Sequence, residues 1–387
     1  MESYMGNAVF LEAHAQNSVH FSQASQSSSL LRIGELSLAM LLQTVFPLML
    51  FFLGYRSVVL EREQGTLKLA MVQGVRLPSL VLGKTLGLFV LGLIFLLPIL
   101  LGWSLLGWLH SYEHWVLGWS FGLLAGGYLL YTLLLCLVCV WVSYRSRTSR
   151  TALIRLVGVW ILAVILIPKS VQSLGRSLYP APNTFAFYSE LSREINAVGN
   201  SHNPNDPYFS ALRDSVLQVH QVDKITELPF NYGGFIMREG EKLSARIYDR
   251  HHQQLLDIYR EQNSLTRRFS WIDPYLSLQL FSRILARSDF ETYTAFKNQA
   301  EAYRYQMAQR MNQLQMDLIS SQRPSGSEGR IHVVSRDHWK ALPDFKYQFA
   351  SEKEVLQKAS GFVWVLLFWN VFALFGLLLS TNKPIDL

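Results

Sequence analysis

Four short constellations hold the reactive side chains of this sequence, and three of them fail on their own chemistry. Gly83-Lys84-Thr85 ends like a phosphate-binding loop, but the glycine required five residues before Gly83 is Pro78. No strand pattern precedes it, so the chain is not expected to bind ATP itself. Cys136 and Cys139 form a C-x-x-C inside a long uncharged run, where thiolates for redox or metal chemistry would stand in hydrocarbon. They read instead as small packing residues on one helical face. His251 and His252 follow Asp249 and Arg250, but neighbours on a helix point about 100° apart and do not easily ligate one ion. No H-E-x-x-H occurs. The expectation is no catalytic residue, no metal and no cofactor.

The fourth constellation is R-S-V-V-L-E-R-E-Q-G-T-L-K-L-A-M-V-Q-G-V-R-L-P-S-L-V-L-G-K-T (56–85). Glu61, Arg62, Glu63 and Thr66 flank Gly65, and Leu67, Leu69, Ala70 and Val72 give a short apolar stripe. Two readings stand: an interfacial helix that presents a charged end to a partner, or a solvated loop whose charges only set topology.

What must position these residues is a membrane. Half of the 387 residues are apolar and 16% are charged, against about a quarter in soluble proteins. Two Cys exclude a disulfide-stapled scaffold, and a scattered net charge of +7 gives no nucleic-acid patch. Uncharged runs of spanning length lie at Leu36–Tyr55, Thr85–Tyr112, His114–Tyr144 and Ala359–Asn382, and Thr151–Pro168 has only Arg155, near its start. The expected fold is therefore an α-helical integral membrane protein with five transmembrane helices.

Arg56, Arg62, Lys68, Arg76 and Lys84 place 56–84 in the cytoplasm, and Arg145, Arg147 and Arg150 place the third-to-fourth connection there too. Residues 1–35 and 169–358 then lie outside, with the tail from Lys383 inside. Residues 1–31 lack a signal-peptide pattern, which favours an expectation that an upstream span is missing.

The stretch 169–358, with 24 Lys/Arg against 21 Asp/Glu, reads as a mainly helical extracytoplasmic domain. Asp206-Pro207 and Asp273-Pro274 are helix starts, and Ser288 with Glu291 forms a capping box. That box opens a helix to about Ser320 with Phe290, Tyr293, Phe296, Ala300, Tyr303 and Met307 on one face. Glu241–Gln262 is a second amphipathic helix through Leu243, Ile247, Leu255 and Ile258. Residues 320–329 read as a loop and Ile331–Val334 as a short strand.

Within the spans, Gly122 and Gly126 form a small-xxx-small face for a neighbouring span or a second subunit. Gln43 and Thr44, with Pro47 one turn on, and Arg155 are polar groups at membrane depth. They line a path, or they are packing and snorkelling groups.

E-R-E-Q-G-T-L, followed by Gly74, Arg76 and L-G-K, resembles the cytoplasmic signature of ABC-2 type permeases, the membrane subunits of ATP-binding-cassette transporters. L-E-A-H-A-Q-N (11–17), G-E-L-S (34–37), D-R-H-H (249–252), A-E-A-Y-R-Y-Q (300–306) and L-P-D-F-K-Y (342–347) resemble the subgroup with a large extracytoplasmic insert before the last span. That subgroup usually begins with a further span.

The resemblance implies a coupling helix that docks on a separate ATPase subunit, with Glu61 and Glu63 as its contacts and Arg62, Gly65, Thr66 and Leu67 beside them. It also implies a second permease chain, export, and a bacterial inner membrane. ATP hydrolysis would reside in the partner, so this chain would not itself be an enzyme. Residues 169–358 would take a periplasmic partner. The alternatives are a membrane-anchored extracytoplasmic binding or scaffold protein without transport, and a membrane enzyme with its site in the outer domain.

Overall fold

A computed structural model describes residues 11, 13, 38–109, 119–201, 203, 205–320 and 335–381, and among them the regular elements are all helical. Five helical stretches are long and apolar enough to cross a bilayer: Leu38–Glu63, Leu77–Gly102, Trp119–Arg145, Ser149–Leu178 and Glu352–Thr381. The first is built from a π-helical turn (Leu41–Val45), α1 (Phe46–Gly54) and α2 (Val59–Glu63). After α3 (Thr66–Val72) come α4 (Leu77–Leu109) and α5 (Trp119–Arg145). The fourth span joins α6 (Ser149–Trp160) to α7 (Ile167–Leu178) through a second π turn (Ile161–Leu166). Then follow α8 (Thr184–Val198), α9 (Pro207–His220), α10 (Tyr232–Phe269), α11 (Pro274–Leu285), α12 (Phe290–Leu318), the short α13 (Arg336–Lys340) and the last span, α14 (Glu352–Thr381).

The helix of the fourth span does not stop at Pro168, where the uncharged run ends, but continues ten residues further. A proline inside a helix clashes with the carbonyl four residues back. For Pro168 that is Val164, and for Pro47 it is Gln43; both sit within the π turns, whose wider loop makes room for the ring. One continuous helix therefore crosses the expected boundary at 168/169.

The most buried span is α5. Its Leu124, Tyr128, Tyr131 and Leu135 share one core with Leu42, Phe46 and Leu50 of span one and Phe362 and Leu366 of α14. The same core contains Leu278, Phe281, Ile284 and Leu285 of α11, so part of the expected outer domain is packed into the bundle. Gly127 makes this possible: a Cβ there would stand 2.3 Å from the Phe281 ring. Ser277 donates to the Phe362 carbonyl, and the Trp369 indole of α14 donates to the carbonyl of Trp271, in the turn before α11, at 3.0 Å. That turn lies beside the middle of a spanning helix.

Asp206 and Asp273 cap α9 and α11 as their Asp-Pro pairs predict, accepting from Tyr208 and Phe209, and from Tyr275, respectively. The expected capping box at Ser288 does not form. Arg287 takes a left-handed φ of 52°, and Arg287 N and Ser288 N bond back to Ile284 and Arg283, closing α11. The next helix starts after Asp289 instead.

The expected buried face of that helix is also corrected. Ala300 of the expected face is buried, but the side of α12 turned inward otherwise carries Thr294, Lys297, Glu301, Arg304, Ala308, Asn312 and Met316, while Phe296 and Tyr303 pack against Phe345 and Tyr347 of a following strap. The second expected helix, Glu241–Gln262, is the middle of α10, which starts nine residues earlier on the Asn231 cap. The strand at 331–334 and the tail from Lys383 fall outside the described residues, as do 1–35 apart from Leu11 and Ala13.

Candidate functional site

The E-R-E-Q-G-T-L segment forms an elbow of two short helices, not one. Gly65 at φ 73° separates α2 from α3, and Gly74 at φ 88° ends α3 with back-bonds from Gly74 N to Met71 and Val75 N to Ala70. Both conformations are strained for any residue with a Cβ, so the glycine spacing fixes the length of α3. The elbow rests on Val58, whose side chain packs with Val81, Leu137, Val140, Tyr144 and Leu377.

Three of the elbow's charges, Glu61, Arg62 and Glu63, are bonded to other elements of the chain. Ser143 of α5 accepts from Val58 N and Val59 N at 3.1 Å each and donates to the Tyr55 carbonyl at 2.8 Å, fixing the turn into α2. Arg62 donates to the carbonyls of Tyr144, at 2.8 Å, and Ser146, and its guanidinium stands over the Tyr144 ring. Arg155 donates to the Arg145 carbonyl at 3.1 Å. Two arginines thus satisfy the carbonyls that the C-terminal end of α5 leaves open, at the negative end of its dipole.

Glu63 accepts from Ser149 N at 2.7 Å and from the Ser149 hydroxyl, a carboxylate at the positive end of α6. Glu61 pairs with Lys84, at the start of span two. Glu61 and Glu63, the expected partner contacts, are thus both engaged within the chain, and Glu63 is still exposed to solvent. Beside the exposed Glu63, Lys68 and Arg76, the elbow shows to solvent Leu69, Val72 and Val75, one apolar stripe at spacings of three, with Val72 86% exposed. Leu67 is buried and Thr66 donates to the Glu61 carbonyl.

The same contacts bring 56–63 and 143–149 together on one side of the bundle, as the charge pattern predicts. Ser143, Ser146 and Ser149 were not among the predicted site residues. Their signal is legible in S-Y-R-S-R-T-S-R (143–150), hydroxyls every three residues between arginines.

The remaining predicted residues separate into anchors and open faces. Gln43 is buried and donates to the Tyr128 hydroxyl at 2.8 Å, which stands 3.3 Å from Ser282, so span one, α5 and α11 share a polar link. The Thr44 hydroxyl donates to Met40, and its carbonyl, inside the π turn, accepts from Trp160. Arg155 is a helix-end anchor, as the simpler reading has it. Nothing among the described residues lies within 4 Å of a Cβ built on Gly122 or Gly126; the close contact falls on Gly127 instead. Cys136 and Cys139 are fully buried in α5. Gly118-Trp119-Ser120-Phe121-Gly122 has the G-x-S-x-G spacing of a serine hydrolase, but Ser120 lies in the first turn of spanning helix α5, not on a strand-to-helix turn.

A second concentration of charge lies between α10 and α12. Arg304, wholly buried, meets Glu241 and Glu301 at 2.7 Å and donates to the Ala13 carbonyl at 2.7 Å. Ala13, Asp249 and Arg304, one residue from each of three quoted motifs, thus meet in or beside one cluster. Burial holds the Glu301 carboxyl above its usual range, against the pull of Arg304. Burial, aided by the Lys297 and Arg260 cations, pushes the His252 imidazole down to about 4, and burial alone pushes Lys297 down to about 8. His251 contacts Glu194 at 2.6 Å. Among the described residues no group of three His, Cys, Asp or Glu could hold a metal.

Residues 188–348 match the family model described as a domain of unknown function, DUF3526, which takes in most of α8 and all of α9 to α13. No curated protein and no solved structure matches the chain.

Proposed function

We propose that the chain is the membrane subunit of an ABC-2 type transporter, an exporter driven by a separate ATPase. The observation that carries this reading is the elbow: a short helix with an outward apolar stripe, clamped by its charged neighbours to the ends of three spans. A load applied to Leu69 and Val72 would pass through Glu63 to α6, through Arg62 to α5 and through Glu61 to α4. A mere topology-setting loop needs no such attachment.

In this reading the docking contact is the apolar stripe, while Glu61, Arg62 and Glu63 transmit the load. Gly65 and Gly74 set the length of the docking helix. The unit would contain two ATPase chains and a second permease chain, for which Gly122 and Gly126 leave an open face. The basic elbow lies on the cytoplasmic side by the charge asymmetry, the membrane is a bacterial inner membrane by the resemblance, and α8 to α10, α12 and α13 stand on the periplasmic side, with α11 packed into the bundle. There they form a surface for a periplasmic partner.

The test is to isolate the chain from native membranes and identify what stays bound by mass spectrometry. A co-purifying ATPase whose turnover changes with this chain present is the expected result. A stable partner on the α8–α13 side with no ATPase would favour a membrane-anchored scaffold, the reading that the DUF3526 match to those helices leaves open.

A further inference from the structure

Helices α7, α10 and α11 leave a cavity of about 670 Å³ between them, within the roughly 300–1,000 Å³ of small-molecule sites. From α7, Lys169, Gln172 and Arg176 line it, three residues at spacings of three and four that share one helical face. From α11 come Gln279 and Arg283, with Leu276 and Leu280 as an apolar wall. Three cations line the space and no carboxylate does. Lys169 and Arg176 make no ion pair among the described residues. Lys169 and Arg176, like charges on one face of the recess, repel one another unless an anion joins them.

The position of the cavity narrows the ligand. Residues 156–168 carry no charge, so Lys169 stands where the fourth span leaves the apolar layer. Leu174 and Leu178, about 160° around α7 from the cavity side, are 41% and 56% exposed. One helix thus offers a cationic, amide-bearing face and an apolar face at the same level. Arginine forks match phosphate oxygens in pairs, and lysine adds a point charge.

The geometry points to a binding site for the phosphate-bearing headgroup of an anionic membrane lipid, held by Lys169, Arg176 and Arg283 with its acyl chains along the apolar side of the bundle. This inference rests on the spans and not on ATPase docking, so either can fail alone.

The experiment uses the full purified chain in detergent, offered phosphatidylglycerol or phosphatidylcholine, with native mass spectrometry to count retained lipid. Retention of phosphatidylglycerol about tenfold or more above phosphatidylcholine is expected, a difference of about 1.4 kcal/mol. The double substitution Lys169→Gln, Arg176→Gln is expected to remove that preference. Arg193→Gln with Lys340→Gln, which removes the same charge from two exposed positions, is expected to keep it. Equal retention of both lipids, or equal loss in both double variants, overturns the site. Displacement by inorganic phosphate at the lipid's own concentration overturns the lipid and assigns the cavity to a soluble phosphate compound. The lipid preference and the phosphate competition are read on the unaltered chain, so misfolding of a variant does not leave the inference untested.

Discussion

Arg62 with Glu63 at the elbow and Arg304 with Glu301 between α10 and α12 are the same residue types, and burial separates what they do. At the elbow the side chains are partly open to water, and each finds a helix end: Arg62 the carbonyls of α5, Glu63 the first turn of α6. Such contacts place elements at small energetic cost, because water still reaches the charges. Arg304 has no exposed surface and Glu241 only 8%. There the desolvation cost is large, and the pairing mainly keeps that cost from going uncompensated. The elbow's charges orient elements, whereas the triad fixes which face of α12 meets α10.

The largest effect expected from that contrast is at Arg304. Arg304→Met leaves two carboxylates buried without their cation and should cost about 3–5 kcal/mol, read from denaturant unfolding in detergent. Replacing all three charges, with Glu241→Leu and Glu301→Leu added, should return most of that loss. A change under about 1 kcal/mol for Arg304→Met would mean that water reaches the triad and would collapse the distinction.

Acid should act on the same seam. The folded-state value for His252, about 4, lies below the 6.5 of a free imidazole. Between those values the unfolded chain binds more protons, so this residue's contribution falls as pH drops from about 6.5 to 4. The loss amounts to roughly 3 kcal/mol at about 1.4 kcal/mol per pH unit. The Glu301 and Asp249 carboxyls, which burial holds above their usual range, work in the other direction. The readout is therefore the difference between the wild type and His252→Leu in Tm from pH 7 to 4. Parallel curves would remove His252 from the acid response.

At the elbow the expected losses are smaller. Arg62→Ala removes two charge-assisted hydrogen bonds to α5 carbonyls, and partial solvent access limits the cost to about 1–2 kcal/mol. Hydrogen exchange should quicken at the last turn of α5 and leave α10 and α12 unchanged. Protection lost throughout the bundle would make the elbow a core element and not a surface clamp.

The spans were legible in the sequence because a bilayer imposes both a length and a composition, and all five helices overlap the uncharged runs, overrunning them by seven to ten residues at Glu63, Leu77, Leu178 and Glu352. The elbow was half legible. Its motif and its glycines follow from residue order, but the bonds of Glu61 and Glu63 depend on Lys84 and Ser149, which only the fold brings near. The seam was least legible, because hydrophobic periodicity selected Phe296 and Tyr303 as the core face of α12. The face that is buried carries Lys297, Glu301 and Arg304, a pattern that reads as solvent-facing until α10 supplies its partners. Polar burial across two helices leaves no periodic apolar signal, and the 345–347 strap gives the aromatics another place to pack.

The smallest expected effect on stability sharpens the comparison most. Val72 is 86% exposed and Leu69 60% exposed, so Val72→Asp or Leu69→Asp touches no packed surface and should change stability by less than about 0.5 kcal/mol. If the apolar stripe is the docking contact, the same substitution introduces a charge where a partner must exclude water, and bound ATPase should fall about tenfold or more, equivalent to about 1.4 kcal/mol. Glu61→Gln, which loosens the tie to Lys84, should leave the bound ATPase nearly unchanged and weaken only the transmission of turnover to the spans. The reverse order, with Glu61→Gln abolishing association and Val72→Asp neutral, would restore the carboxylate as the contact and make the exposed stripe incidental. Both variants keep their fold under either outcome, so the two halves of the elbow can be told apart by association alone.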